Sequence, residues 1–360
     1  MPFIEQELAM THAQAGSLFL MISIGFSAAQ FGSGFLTSRL NHKRTIVISA
    51  VATGIALLAF GFIHTLIVIR LLLIFLGLAA GLHVPSALAT ITAMVKREDW
   101  GKALGVHAAA PSLSLVLGPL VVALLLGPIS WRTIIICWGG LSLFSGIAFL
   151  RLGKGGDFPG DAPKPSVLRR IVRLRSFWLM IVLFVMAMSG SVGTFTMLPL
   201  YLISECGFDK TYANTLLGLA QISGLFTAFM AGWFTDRVGP KRAISILLVA
   251  GGAATILLGV SSNAWLLVTI FLQPALAGSF FPAGFAAMSR IAHPGLRSVV
   301  ASLVTPSAFL IGVGLFPALV GYLGQTHTFG LGFALAGSFM LLGPLVASLL
   351  KFVEHEQDGC

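Results

Sequence analysis

The sequence predicts an all-α, polytopic membrane protein built from two pseudo-symmetric helical bundles. Three observations support this fold class: the composition, the spacing of long apolar runs and an internal duplication. Hydrophobic residues make up 57% of the 360 positions and charged residues only 9%, whereas a soluble globular domain carries about 25% charged residues. The mean hydropathy of +0.96 agrees with a chain that lies largely within a bilayer.

Eleven apolar runs are long enough to cross a membrane, which takes roughly 20 residues in a helix. We predict about 11 transmembrane helices, at approximately 13–38, 45–63, 66–94, 103–127, 131–151, 177–203, 213–236, 243–261, 264–290, 299–323 and 329–351.

The basic residues cluster in the loops on one side of these predicted helices. All of the 22 Lys and Arg residues lie there except Arg70, Arg132 and Lys210. The positive-inside rule places that side, and the C-terminus with it, in the cytoplasm, so an odd number of spans puts the N-terminus outside. Because the cations separate apolar runs and form no single patch, topology explains the net charge of +10 better than nucleic-acid binding does.

Three short motifs recur in the same order about 195 to 198 positions later in the chain. The pairs are Gly34–Arg44 with Gly232–Arg242, Gly81–Pro85 with Gly278–Pro282, and Ala110–Ser112 with Thr305–Ser307. This duplication pairs the first five spans with the last five and leaves the sixth without a partner. Internal repeats of this kind are found in many transporter folds.

The duplication and a linker rich in glycine and proline divide the chain into segments. Residues 1–151 form the predicted N-terminal bundle, 152–176 a cytoplasmic linker, 177–351 a six-helix C-terminal bundle and 352–360 a cytoplasmic tail. Within the linker, Ser166 to Arg175 is predicted either as a basic amphipathic helix on the inner leaflet or as a solvated segment.

The loop between the seventh and eighth spans holds an acid, a turn glycine and three cations. It reads Gly-Trp-Phe-Thr-Asp-Arg-Val-Gly-Pro-Lys-Arg from Gly232 to Arg242. This loop resembles the signature G-x-L-a-D-R-x-G-R-K of the major facilitator superfamily (MFS) of secondary transporters. The matching residues are Gly232, Asp236, Arg237, Gly239 and Lys241, with Phe234 at the leucine position and Pro240 at an arginine position.

The resemblance implies that this loop acts as a latch on the cytoplasmic side. Asp236 would hold the start of the span near Gly101, with Arg237 nearby, because the dipole of a helix N-terminus favours negative charge. The expected latch residues are Gly232, Asp236, Arg237, Gly239, Lys241, Arg242, Gly34 and Arg39. In the first copy Ser38 replaces the aspartate and Asn41 the glycine, so that side is expected to be weaker. A loop that only sets orientation is the alternative.

The family has twelve helices, and the first has no counterpart here. Residues 1–12 resemble the outer tail of that helix, so the chain is apparently lacking the first transmembrane helix. Two expectations stay open, namely a truncated chain or misassigned start, and a functional variant with eleven spans. A longer reading frame with roughly 20 upstream apolar residues would distinguish them.

Six polar residues inside the spans are candidates for a substrate or proton pathway. They are Arg70, His83, His107, Gln30, Gln221 and Gln273. Ionisable groups within a membrane are costly to bury and usually functional. Arg70 resembles an arginine that the family often carries, implicated in proton coupling or substrate contact; snorkelling to the outer interface is the alternative.

His83 and His107 are expected at similar depth in the inner half of neighbouring antiparallel helices. His83 follows Arg70 at roughly 20 Å along a helix. The pair could bind an anion or carry a proton, or pack as hydrogen-bonded core residues. The three glutamines are expected to line the cavity, with helix packing as the alternative.

The acidic residues and the cysteines exclude several kinds of site. All Asp and Glu residues fall in loops, tails or span ends, so no midplane carboxylate is available for a proton relay. No nucleophile–base pair, metal cluster or phosphate loop stands out, so we predict no enzyme, no cofactor and no metal site. Cys137, Cys206 and Cys360 are too scattered for a disulfide framework.

These residues and the resemblance together predict an MFS secondary active transporter that moves a small organic solute by alternating access. Cations without midplane acids favour an anionic solute, with proton coupling left open. A drug or metabolite efflux antiporter is the alternative, and a transport-inactive membrane scaffold is the alternative from another class. The expected partners are a small-molecule substrate, protons and the lipid bilayer, without nucleic acid, for a monomer in the bacterial inner membrane.

Overall fold

The structure, a computed structural model, describes residues 1–125, 128–162, 164–293 and 296–352. Its described residues contain helices and no strand. Eleven helices are long and apolar enough to cross a membrane, which confirms the predicted number and the all-α class. In chain order they are span 1 His12–Leu40, span 2 His42–Phe62, span 3 Leu66–Met94, span 4 Lys102–Leu125, span 5 Trp131–Leu152, span 6 Arg175–Ser204, span 7 Lys210–Val238, span 8 Pro240–Val260, span 9 Asn263–Met288, span 10 Val299–Thr326 and span 11 Phe329–Ser348.

The spans form two bundles with matching neighbours. Span 2 packs on span 5 in the N-terminal bundle, and span 8 packs on span 11 in the C-terminal bundle. Two short helices lie outside the spans: Pro2–Glu7, here named the outer helix, and Pro165–Val172 in the linker. The predicted tail lies, except for Phe352, outside the described residues.

Spans 3 and 9 are each broken at the same place in the repeat. Span 3 consists of helices Leu66–Gly81 and His83–Met94, and span 9 of Asn263–Ala277 and Phe280–Met288. Each break lies at or just after the fourth residue before a proline, because Pro85 and Pro282 have no N–H to donate and their rings crowd the carbonyl four residues earlier. The repeated Gly-x-x-x-Pro motif is therefore the local cause of both breaks.

The two loops that carry the repeated basic motif share one backbone conformation. Asn41 has φ of 72° and Gly239 has φ of 83°, so both lie in the left-handed region. Asparagine tolerates that region better than most residues, and its Oδ1 accepts a hydrogen bond from the Arg44 backbone N–H at 2.9 Å. The loss of glycine in the first copy therefore leaves the turn intact.

Span 6 lies at the centre of the C-terminal bundle. It contacts spans 9, 10 and 11. Its π-helical segment Ser189–Gly193 packs on the π-helical segment Leu310–Leu315 of span 10. A Cβ added to Gly312 would lie 2.6 Å from the Met188 Cβ and 3.0 Å from the Ser189 nitrogen. Glycine is thus what allows the two helices to approach so closely.

The linker is attached to both bundles. Its first part packs on the loop between spans 1 and 2, where the backbone N–H of Lys43 donates to the Gly156 carbonyl at 2.8 Å and that of His42 to the Phe158 carbonyl at 3.2 Å. Its helix buries Ile171 completely in the core of the C-terminal bundle, while Arg169 and Arg170 are exposed. The linker helix is therefore amphipathic.

Candidate functional site

The two bundles contact each other closely where span 1 meets span 10. The Gly16 backbone lies against the Pro317 carbonyl, and Gly321 lies against the His12 carbonyl, so that a Cβ at either glycine would clash with backbone. Deeper in the membrane the Ser27 hydroxyl donates to the Pro306 carbonyl at 2.8 Å. Small residues permit this approach, as is usual between membrane helices.

A second contact between the bundles joins span 4 to span 7. A Cβ on Gly218 would lie 2.6 Å from the Leu120 Cγ and 3.0 Å from the Val116 carbonyl oxygen. One hydrophobic cluster also combines buried residues near the outer ends of both bundles, among them Leu18 and Leu73 with Met197 and Phe329. Packing therefore holds the bundles together on the outer side.

The outer helix reinforces this closure by pairing with both bundles. The Glu7 carboxylate accepts hydrogen bonds from Arg132 Nε at 2.8 Å and from Trp131 Nε1 at 2.5 Å, both at the start of span 5. Lys210, at the start of span 7, donates to Gln6 Oε1 at 2.6 Å. The Arg132 hydrogen bond holds the pKa of Glu7 below its usual value. We call this arrangement the outer clasp.

Arg132 also completes the end of span 2. Its Nη1 donates to the carbonyls of Gly61 at 3.1 Å and Ile63 at 2.8 Å, and its Nη2 lies 3.1 Å from His64 Nδ1. The last carbonyls of a helix have no partner within the helix, and a cation there also stabilises the negative end of the dipole. One guanidinium therefore connects the outer clasp to the N-terminal bundle.

Several side chains of the spans are exposed on the predicted cytoplasmic side. Phe35 in span 1, Val106 in span 4 and Phe229 in span 7 are 53%, 77% and 82% exposed. A Cβ at Gly105 or Gly232 would meet no atom within 4 Å. Neither glycine therefore makes a close contact with a neighbouring helix among the described residues.

Arg70 lies beneath the outer closure, five residues into span 3. Its side chain is half-buried, and its Nη2 donates to the Ser17 hydroxyl of span 1 at 3.4 Å. Its Nε is buried without a hydrogen-bond partner in the described part of the chain. The guanidinium therefore keeps donors for another group, and its role in binding stays a prediction.

The structure brings His83 and His107 together, with ring centroids 6.2 Å apart. His83 is the first residue after the break in span 3, and His107 lies near the cytoplasmic start of span 4. His83 is exposed and His107 half-buried. The pair is thus accessible from the inner side, where an anion could pass, although its role is a prediction.

The three glutamines have different surroundings. Gln30 and Gln221 are half-buried within spans 1 and 7. Gln273 is only 2% exposed, and its Nε2 donates to the Gly190 carbonyl at 2.5 Å and to Thr255 Oγ1 at 3.2 Å. This differs from the expected cavity-lining position, because the carbonyl freed at the π-helical segment of span 6 needs a donor.

The structure describes the predicted latch only on the side of span 7. The Asp236 side chain is exposed and makes no hydrogen bond or ion pair to the described residues. Arg237 stacks on Trp233, with its Cζ 3.8 Å from the ring centroid, and Lys241 faces span 11. The surroundings of Gly101, the expected partner, lie outside the description. The latch stays a prediction, and so do the roles of Gly34 and Arg39.

Sequence reasoning missed the outer clasp. Gln6 and Glu7 were assigned only to the tail of a helix, yet they bind two of the three cations that the charge pattern leaves outside the cytoplasm. Acids in an outer segment, combined with Arg132 and Lys210 at outer span ends, were the available signal. A pairing over more than a hundred residues has no local pattern that identifies the partners.

Comparison with known proteins identifies similar transporters. The chain is 24% identical to the probable sulfoacetate transporter SauU of Cupriavidus necator, over 97% of this chain and 88% of the relative. It is 23% identical to the gallate transporter of Pseudomonas putida, over 98% of this chain and 86% of the relative. It is also 25% identical to the membrane sensor protein UhpC of Salmonella typhimurium, over 77% of this chain and 67% of the relative.

The fold has a counterpart among solved structures. A bacterial homologue of the human lysosomal transporter Spinster, in an inward-facing and occupied conformation, superposes with a TM-score of 0.76. The match covers 97% of this chain and 89% of that chain at 14% identity. The family model described as Major Facilitator Superfamily matches residues 1–233 and again residues 194–359. The chain therefore belongs to the Major Facilitator Superfamily and is an integral, multi-pass membrane protein.

Proposed function

We propose that the chain is a secondary active transporter that moves small organic anions across a bacterial inner membrane by alternating access. The observation that carries this proposal is the asymmetry of the contacts between the bundles. Spans 1 and 10, spans 4 and 7 and the outer clasp join the bundles on the predicted outer side. On the predicted inner side, a Cβ at Gly105 of span 4 or Gly232 of span 7 would meet no atom within 4 Å. One open side and one closed side is the arrangement that a rocking mechanism requires.

The preference for an anion rests on the ionisable groups along the pathway. Arg70 presents a buried Nε without a protein partner, and a guanidinium can donate two parallel hydrogen bonds to a carboxylate or sulfonate. His83 and His107 lie towards the open side and could attract the solute or exchange a proton with it. An anion held at Arg70 would neutralise a charge that is costly within the membrane.

Two relatives support this solute class. Sulfoacetate and gallate, named for the relatives from Cupriavidus necator and Pseudomonas putida, are both organic acids. Export of drugs is the alternative, since the multidrug resistance protein MdtG of Serratia proteamaculans is 27% identical over 79% of this chain. A drug exporter and an organic acid transporter move different classes of solute, so a panel of solutes distinguishes these two functions.

A second candidate function is a transport-inactive sensor. It is favoured by the similarity to UhpC, which is named a membrane sensor protein. A sensor would bind its solute at Arg70 without releasing it on the other side. Binding without counterflow is the result that separates a sensor from a carrier.

The test is counterflow in proteoliposomes with labelled sulfoacetate, gallate, a neutral sugar and a cationic drug. Liposomes preloaded with the unlabelled solute should accumulate the labelled acids and exclude the sugar and the drug. Accumulation of the cationic drug alone would contradict the anion proposal. If the protein binds an acid in detergent but the liposomes show no counterflow, the sensor function would be favoured.

Arg70→Lys tests the role of the guanidinium. Lysine keeps the charge but loses the planar fork, so we expect acid counterflow to fall about tenfold, the factor that corresponds to one lost charge-assisted hydrogen bond. Arg44→Lys, in a cytoplasmic loop, is the control and should retain full counterflow. Unchanged transport by Arg70→Lys would indicate that Arg70 only extends its charge to the outer interface and does not bind the solute.

A further inference from the structure

A groove opens on the cytoplasmic side between the inner ends of spans 8 and 11. Its volume is about 430 Å³, and it is lined by Lys241, Arg242, Ser245, Ile246, Pro344 and Ser348. Spans 8 and 11 pack on each other and on other spans of the C-terminal bundle. The groove is therefore separate from the pathway between the bundles.

The two cations of the groove differ in what they contact. Lys241 Nζ donates to the carbonyls of Ser348 at 2.7 Å and Leu350 at 3.2 Å, so it completes the end of span 11. The Arg242 side chain is exposed, and none of the described residues forms a hydrogen bond or an ion pair with it. Arg242 thus offers all its donors to a ligand, and Lys241 adds a fixed positive charge beside it.

Exposed apolar side chains continue from the groove towards the membrane centre. Span 8 begins at this side and exposes Ile246 and Val249, while span 11 ends here and exposes Leu342, Leu345 and Leu349. Cations at the interface with apolar surface directly above them match an amphiphile that has an anionic head. The cytoplasmic leaflet supplies such molecules, since its anionic lipids attract juxtamembrane Lys and Arg.

We propose that this groove binds the headgroup of an anionic phospholipid from the inner leaflet. The Arg242 guanidinium holds two phosphate oxygens, because its planar fork matches that geometry. Lys241 contributes charge, and the acyl chains lie along Ile246 and Leu345. The bound lipid stabilises the inner ends of spans 8 and 11.

The internal repeat supplies a matched pair of cations that do not line this groove. Lys43 and Arg44 stand 198 residues before Lys241 and Arg242. There the linker covers the loop: the backbone of Lys43 bonds Gly156, and a Cβ on Gly156 would lie 3.0 Å from the Lys43 nitrogen. The linker thus covers the backbone at Lys43, while the Arg44 side chain is exposed like that of Arg242.

The test is native mass spectrometry of the full chain, released from detergent containing phosphatidylglycerol, cardiolipin or phosphatidylcholine. We expect the anionic lipids to be retained and phosphatidylcholine to be lost. Arg242→Gln should weaken phosphatidylglycerol retention about tenfold. Arg44→Gln should leave it unchanged. Arg242→Gln is preferred to a Lys241 variant because it removes no contact within the protein.

Two further outcomes would overturn the proposal. The proposal fails if phosphatidylcholine and phosphatidylglycerol are retained equally. It also fails if Arg44→Gln and Arg242→Gln lose phosphatidylglycerol equally, because the groove would then not be the binding site. The tail carries Glu354, Glu356 and Asp358. If phosphatidylglycerol binds only when all three are neutralised to Gln or Asn, the acidic tail and not a lipid occupies the groove in the unsubstituted protein. Retention that is independent of these substitutions supports the lipid.

Discussion

The two bundles come from one duplicated pattern, but the last two helices of each bundle differ in how well they are covered. In the best 18-residue stretch of span 10, 39% of the residues are buried, against 6% in its counterpart, span 4. Span 11 and its counterpart span 5 differ in the same direction, with 44% and 17%. Span 6, which touches spans 9, 10 and 11 and has no copy in the N-terminal bundle, is 67% buried by the same measure.

This difference teaches how much of the burial of spans 10 and 11 comes from their contacts with span 6. Gly312 of span 10 is enclosed by Met188 and Ser189 of span 6, whereas Gly118 of span 4 has no atom within 4 Å of an added Cβ. Helices in lipid associate by close packing of small residues, not by the hydrophobic effect. Gly118 makes no such contact with the described residues.

The comparison is tested most strongly by adding one methyl group at each of these glycines. Gly312→Ala forces an atom into the backbone of span 6 and should cost about 1–3 kcal/mol of stability. Gly118→Ala adds the same group in open space and should change stability by less than about 0.5 kcal/mol. Thermal unfolding in detergent measures both. Equal shifts in Tm would contradict the packing difference.

The loops of the two copies can be compared through transport rates. Asp236→Asn removes the charge that the latch would use when the inner side closes, and we expect turnover to fall about three- to tenfold while binding is retained. Ser38→Ala changes the matched position in the first copy and should have little effect. Unchanged turnover in Asp236→Asn would count against the latch.

The outer clasp predicts a small effect that depends on pH. Because Arg132 lowers the pKa of Glu7 from its usual 4.5, the ion pair contributes stability above that value and loses it as pH falls through the lowered pKa. Glu7 is partly exposed, so Glu7→Gln should cost only about 0–1 kcal/mol at pH 7.

The Tm difference between Glu7→Gln and the unsubstituted protein should then shrink as the pH falls from 4.5 through the lowered pKa of Glu7, because the carboxyl becomes neutral like the amide. Gln14→Glu, in the first turn of span 1, is a control that leaves the clasp intact. A Tm difference that persists at acidic pH would show that Glu7 acts through packing and not through its charge.

Much of the fold is predictable from the sequence because the membrane restricts the choices. Long apolar runs must be helices in lipid, and the cations between them determine their orientation, so eleven spans and a two-fold repeat could be derived. Gly-x-x-x-Pro at Gly81–Pro85 and Gly278–Pro282 identified equivalent places, which are the helix breaks in the structure. In each case the local sequence was sufficient to predict the feature.

The remaining features depend on contacts between distant residues. Gln273 has the same hydropathy whether it lines a cavity or donates to a free carbonyl in span 6, and only the π-helical segment at Gly190 distinguishes the two. Glu7 and Arg132 are paired by the fold across four spans. The latch at Asp236 depends on which state the transporter occupies. The preceding helix expected from the family stays a prediction.

Distances between spin labels test the alternating-access account most directly. With Cys137, Cys206 and Cys360 replaced, one label pair at Val106 and Phe229 reports on the inner side and another at His64 and Tyr212 on the outer side. Addition of a transported acid should shorten the inner distance and lengthen the outer one by several ångströms in the same sample. Unchanged distances in both pairs, with the acid shown to be bound, would contradict the account.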